Sequence, residues 1–191
     1  MRKSVIVFCL AAGLAGCGRG EDTSAQANAD ENLTAEETSA LGNDTAASSA
    51  MPTDAAGFAG AVAASDMFEI QSAELAAEKA QSAGVKSFAA QLRKDHEKST
   101  ADLKTAAASS NVTVAPALDD EKQGMLDKLK AASGADFDKQ FVEMQKTAHQ
   151  NALNLLQSYA SSGDNPALKD FATKASKVVQ GHLDHVNGMS M

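Results

Sequence analysis

Residues 85–103, VKSFAAQLRKDHEKSTADL, place Val85, Phe88, Ala89, Leu92, His96, Ser99 and Leu103 at steps of three and four. At 100° per residue these positions form one stripe along a helix. The stripe predicts a helix over 85–109 with one side packed against neighbours. It also places an imidazole, His96, in the middle of that packed side.

The same periodicity extends outward. A helix is predicted over 56–82, with Ala61, Ser65, Phe68, Ser72 and Leu75 on one face and Phe58, Val62, Glu69 and Ala76 beside them; Gly84 is its stop. After NVTVAP, where Pro116 punctuates the pattern, a short helix over 119–132 buries Leu126 and Leu129. Asp136 is read as the N-cap of a helix over 137–161, whose broad face holds Phe137, Phe141, Met144, Ala148, Ala152, Leu155, Leu156 and Tyr159. SSGDNP is a turn. The last helix, 167–187, carries Leu168, Phe171, Ala172, Ala175, Val179, His182 and Val186 inward. Four long helices and a short one in the crossover predict an all-α, antiparallel four-helix bundle. Composition agrees: 43% of residues are hydrophobic but only 4% aromatic, because alanine supplies much of the apolar content, and alanine costs least to place in a helix.

The front of the chain reads differently. MRKSVIVFCLAAGLAGC, 1–17, has a basic start (Arg2, Lys3) and an apolar run too short to span a bilayer permanently. Leu14-Ala15-Gly16-Cys17 resembles the bacterial lipobox, which implies removal of the leader and lipidation of Cys17. Several acyl chains would anchor the chain stably to a membrane. Gly18 resembles the Gram-negative sorting pattern for the outer membrane, so the expected location is the periplasmic face of that membrane. Cys9 would leave with the leader and Cys17 would become a thioether, so the mature domain would have no thiol or disulfide. Residues 18–55 carry one Arg and eight acids, a net −7 out of −8 for the whole chain, and have no aromatic residue. Such a stretch buries too little apolar surface to offset its ordering entropy. It is expected to be a disordered acidic tether of roughly 30–36 Å root-mean-square span, leading to a folded domain over 56–188. A mildly acidic domain without a basic stripe is a poor partner for nucleic acid.

Four histidines supply the candidate chemistry. His96 and His182 lie inside stripes, His149 at the edge of one, and His185 further out. Glu69 borders the core side of the first helix, the only carboxylate expected there. Folding the hairpins about Gly84 and Asp164 puts Glu69 one turn from the level of His96, and His149 one turn from the level of His182. Three readings follow. Glu69, His96, His149 and His182 converge on a transition metal, with imidazole suiting Zn, Cu, Fe or Ni. Alternatively they form a buried hydrogen-bonded network that fixes register. In the third reading His149 and His185 are exposed, and only His96 and His182 are interior.

Residues 65–99, 129–153 and 168–186 also resemble a bacterial family designated domain of unknown function 4142. The match rests on Asp95-His96, on Phe137-Asp138 with His149, and on His182-Leu183. The resemblance implies a ferritin-like four-helix core with a long crossover, and no established activity. Ferritin-type di-iron centres use Glu-x-x-His on two helices plus two further Glu. Here the residues three before His96, His149 and His182 are Arg93, Lys146 and Val179, so ferroxidase chemistry is not expected. No Ser–His–Asp set, phosphate loop or paired carboxylate site is present either. The leading expectation is a non-enzymatic envelope lipoprotein acting as a binding or stress-associated module, its protein or ligand partner unknown. The alternative is a metal-binding or metal-dependent oxidative protein centred on the four residues above.

Overall fold

Four of the five helices among the described residues begin where a side-chain oxygen accepts a hydrogen bond from a first-turn amide, as helix starts require. In the computed structural model, which describes residues 51–115 and 117–190, Asp54 Oδ1 accepts from Gly57 N at 2.8 Å and opens α1 (Ala55–Lys79). Ser82 opens α2 (Ala83–Ala108), Asp119 opens α3 (Asp120–Ala131), and Asn165, followed by Pro166, opens α5 (Pro166–Asn187). Cys17, residues 18–50 of the expected tether and Pro116 lie outside the described residues.

The remaining helix, α4 (Gly134–Ser162), departs from expectation. Its N-cap is Ser133, without a side-chain cap bond, and Gly134 follows at φ 62°, a conformation glycine adopts at little cost. Asp136 falls within the first turn, where a carboxylate still favours the helix dipole. A second correction concerns the α1–α2 turn. It lies at residues 80–82, and Gly84 sits inside the first turn of α2. Asp138 explains the turn's position. Its carboxylate accepts from Gln81 N at 3.1 Å and Ser82 N at 2.7 Å, tying the start of α4 to the start of α2.

The helices form a bundle in which neighbours run antiparallel. Short turns join α1 to α2 and α4 to α5, and α3 occupies the crossover. The start of α1 meets the end of α4 through Phe58, whose ring stacks on Tyr159 with centroids 3.8 Å apart. Phe171 of α5 approaches the same ring edge-on. Gly163 makes room for this: a Cβ there would fall 2.5 Å from Cε1 of Tyr159. The end of α2 meets the start of α5 through Ser110 and Asn165. Among the described residues, no helix is long and apolar enough to cross a membrane.

The aromatic end of the bundle should carry much of its stability. Phe58→Ala is expected to lower the unfolding free energy by about 3–5 kcal/mol. Gly60→Ala, where an added Cβ meets nothing within 4 Å, should raise it by about 0.5–1 kcal/mol. Urea denaturation of the two variants checks both signs.

Candidate metal centre

Half-way along the bundle the apolar core gives way to a polar layer. Asp66, Glu69 and Ser72 enter from α1, His96 from α2, Gln145 and His149 from α4, and His182 from α5. None is more than 5% exposed. The rings of His96, His149 and His182 stand 5.3–5.8 Å apart, centroid to centroid. One nitrogen from each lies within 4.8 Å of the other two.

Each ring is held from behind. His96 Nδ1 lies 2.8 Å from Asp66 Oδ1, and Thr100 Oγ1 donates to the other Asp66 oxygen at 3.3 Å. His149 Nδ1 lies 2.9 Å from the backbone carbonyl of Gln145. His182 Nε2 lies 2.9 Å from Asp95 Oδ2, a carboxylate partly open to solvent. A carbonyl or carboxylate oxygen can only accept, so each of these three nitrogens carries the proton. A neutral ring then presents a lone pair at its other nitrogen: His96 Nε2, His149 Nε2 and His182 Nδ1. His149 Nε2 and His182 Nδ1 face each other at 3.3 Å. Two lone pairs at that distance repel unless a proton or a cation stands between them.

Other acceptors nearby are also without partners. Among the described residues, both Glu69 oxygens, His96 Nε2 and Gln145 Oε1 are buried with no hydrogen bond. Gln145 Nε2 donates to Ser72 Oγ, which donates to the Glu69 carbonyl. A buried acceptor left unpaired costs about 1–3 kcal/mol, so this concentration of lone pairs is a standing electrostatic demand for positive charge. Burial pushes Glu69 from its ordinary 4.5 up to about 7, against the opposing pull of His96. Burial takes His149 down to about 3, with the neighbouring His96 and His182 adding to the shift. His182 also falls, through burial, although Asp95 resists. His96 alone rises: burial opposes its charge, but the Asp66 hydrogen bond and the surrounding carboxylates outweigh it.

The structure therefore brings together the four residues singled out in the sequence, with one distinction. The mutually close donors are His96, His149 and His182. Glu69 sits to one side, its Oε1 3.7 Å from His149 Nδ1, as a charge neighbour to that ring. His149 is 1% exposed, which overturns the reading that left it in solvent; His185 is exposed as expected. The expectation of a single core-side carboxylate is also corrected. Asp66 is buried on the packed face of α1, and a turn at residues 80–82 rather than at Gly84 puts it level with His96. Its signal in the sequence was the run Val62, Asp66, Glu69, Ala73, Ala76, a second helical stripe hidden because α1 is alanine-rich on nearly every side. Asp66 and Asp95 are both occupied with imidazole N–H groups, so the layer does not supply the four free carboxylates of a di-iron centre.

Comparison with known proteins agrees on the fold. A family model described as Domain of unknown function (DUF4142) matches residues 40–189, and the chain belongs to that family. A solved structure described as a DUF305 fragment from Deinococcus radiodurans is similar, with a TM-score of 0.63 at 13% identity over 70% of this chain and 93% of that one. At that identity the likeness concerns the helical fold alone. No curated protein matches the sequence.

Glu69 sets a pH signature for the metal-free domain. The unfolded chain releases this proton near 4.5, whereas the folded domain holds it to about 7. Between those values the folded state binds more protons, so this residue's contribution to stability falls as pH rises. Glu69→Gln removes the buried charge. Its advantage over the parent in chelator-treated samples should grow from near zero at the lower value to about 3 kcal/mol at the upper one, read from urea midpoints across that range.

Proposed function

We propose that this chain is an envelope lipoprotein whose helical domain binds one transition-metal ion through His96, His149 and His182. The observation that carries this reading is the direction of the three imidazoles. Each has one nitrogen fixed as a donor on the outside and the other left as a lone pair inside. Metal-bound histidines are oriented in this way, by a carboxylate or carbonyl on the far nitrogen. The distance supports it too. Bonds of about 2.0–2.1 Å to a tetrahedral ion set nitrogens about 3.3 Å apart, and His149 Nε2 and His182 Nδ1 are 3.3 Å apart. One nitrogen of each ring already lies within 4.8 Å of the other two, so a small closing movement of His96 brings the set to that edge length.

Three neutral imidazoles suit a borderline divalent ion such as Zn, Cu, Ni or Fe, rather than the oxygen-seeking Mg or Ca. The carboxylates of Asp66, Asp95 and Glu69 would balance its charge. The lipobox-like Leu14-Ala15-Gly16-Cys17 and Gly18 support attachment through lipidated Cys17 to the outer membrane, facing the periplasm. The acidic segment between Cys17 and α1, shorter than expected because Asp54 caps α1 and Ala55 opens it, then serves as the leash that lets the domain meet its ion away from the lipid surface.

Metal analysis of the purified protein after exposure to zinc or copper tests the reading. One ion per chain is expected, with uptake lost in His96→Ala, His149→Ala and His182→Ala; a folded protein that takes up no ion would retire it. In mildly acidic buffer uptake should displace protons, from His96, whose proton is held more tightly than usual, and from Glu69, which keeps its own up to about 7. Affinity should therefore weaken at least about tenfold for each unit of acidification, measured by competition with a chelator. For the anchor, a Cys17→Ala variant should lose incorporated lipid label and move to the soluble fraction.

A further inference from the structure

A groove of about 690 Å³ runs between α2 and α5 and reaches the polar layer. Asp95, His96 and His182 line its inner end. Phe171, Ala175 and Val179 form one wall, and Val178 stands at the rim, 48% exposed. His149 is absent from the lining. Of the three ligands proposed above, two therefore border the groove, each nearly buried, while the third lies behind them.

We infer that this groove is a binding site for a small, uncharged molecule with a flat apolar body and one nitrogen or oxygen donor, which fills the remaining position on the ion. The inference rests on the metal reading of His96, His149 and His182. Three protein ligands leave a tetrahedral ion one position short, and open positions of that kind hold water or an added ligand. The other end of the layer is shut, since Phe88 packs against the rings of His149 and His182 at 6.3 Å and of His185 at 4.8 Å. The groove, by far the larger of the two cavities that touch His96, is then the route by which an outside donor reaches the ion. Its volume falls in the range of small-molecule pockets, about 300–1,000 Å³, and those too are mostly apolar with a few polar groups at one end.

Charge points to a neutral occupant. The groove's lining carries Lys98 and Lys174 against Asp95, Asp102 and Asp170, and Lys98 is already paired with Asp102. Asp95, the carboxylate left over, accepts the His182 N–H and stands beside the proposed ion, whose charge it offsets. The lining then offers no free charge for an ionic body. The apolar wall and the exposed Val178 favour a flat hydrocarbon or aromatic surface lying along α5.

The test uses the full-length chain loaded with cobalt(II), whose visible spectrum reports coordination, and two probes: azide, small enough to need only the open position, and 4-phenylimidazole, which needs the groove as well. Both should shift the spectrum saturably. Ala175→Phe fills the groove and should weaken 4-phenylimidazole at least about tenfold, leaving cobalt stoichiometry and the azide response in place. Val178→Asp, at an exposed position that does not threaten folding, should weaken the same probe less and also spare azide. Cobalt bound with no response to either probe would overturn this inference while sparing the metal reading. A response to azide alone, or 4-phenylimidazole binding unchanged in both variants, would overturn it as well. Failure to take up cobalt would overturn both.

Discussion

Three imidazoles share the interior of this bundle because the bundle holds each of them from the outside. Asp66 on α1, Asp95 on α2 and the Gln145 carbonyl on α4 fix which nitrogen of each ring bears a proton. The layer is then left with lone pairs facing one another and a buried carboxylate with no partner. A packed interior tolerates such a set only when something compensates it, because unpaired buried acceptors are costly. A purely structural network would pair donors with acceptors. Here each imidazole N–H is turned to an acceptor away from the other two rings.

The rest of the fold supports that layer from both ends. Phe58, Tyr159 and Phe171 close one end, and the shape of Gly163 lets the Tyr159 ring lie flat there. Towards the other end Phe88 sits over the rings, and Asp138 pins the α1–α2 turn that sets the height of Asp66 against His96. A chain of consequence runs from one carboxylate on α4, through a turn between two other helices, to the tautomer of a histidine on α2. The Phe137-Asp138 pair that marks the family resemblance thus has a physical account: Phe137 is buried in the core, and Asp138 sets the register.

Much of this was legible in the sequence. The stripes of α2, α4 and α5 are sharp, because charged residues fill the other faces, and His96 and His182 could be read directly as inward, whereas His149 fell at the edge of its stripe. What α1 buries was less legible. With alanine on most of its faces, periodicity could not choose between the stripe through Ser65 and the one through Asp66, and the buried one holds the aspartate. Turn placement was misread for a related reason. Gly84 has the composition of a helix stop, but the turn is set by a distant carboxylate, which no local pattern announces. The meeting of the two hairpins depended on docking, and so did the convergence of His96 with His149 and His182. Asp95 was visible as the neighbour of His96 in the chain, yet its partner is His182, 87 residues away.

The central claim is a statement about protons, and nitrogen NMR of the histidine rings reads it directly in the metal-free protein. In mildly alkaline buffer, His96 and His149 should each show a protonated Nδ1, and His182 a protonated Nε2. Each should be a single fixed tautomer, whereas exposed His185 should exchange between two. Protons found instead on His96 Nε2, His149 Nε2 or His182 Nδ1, or tautomer averaging throughout the set, would contradict the account.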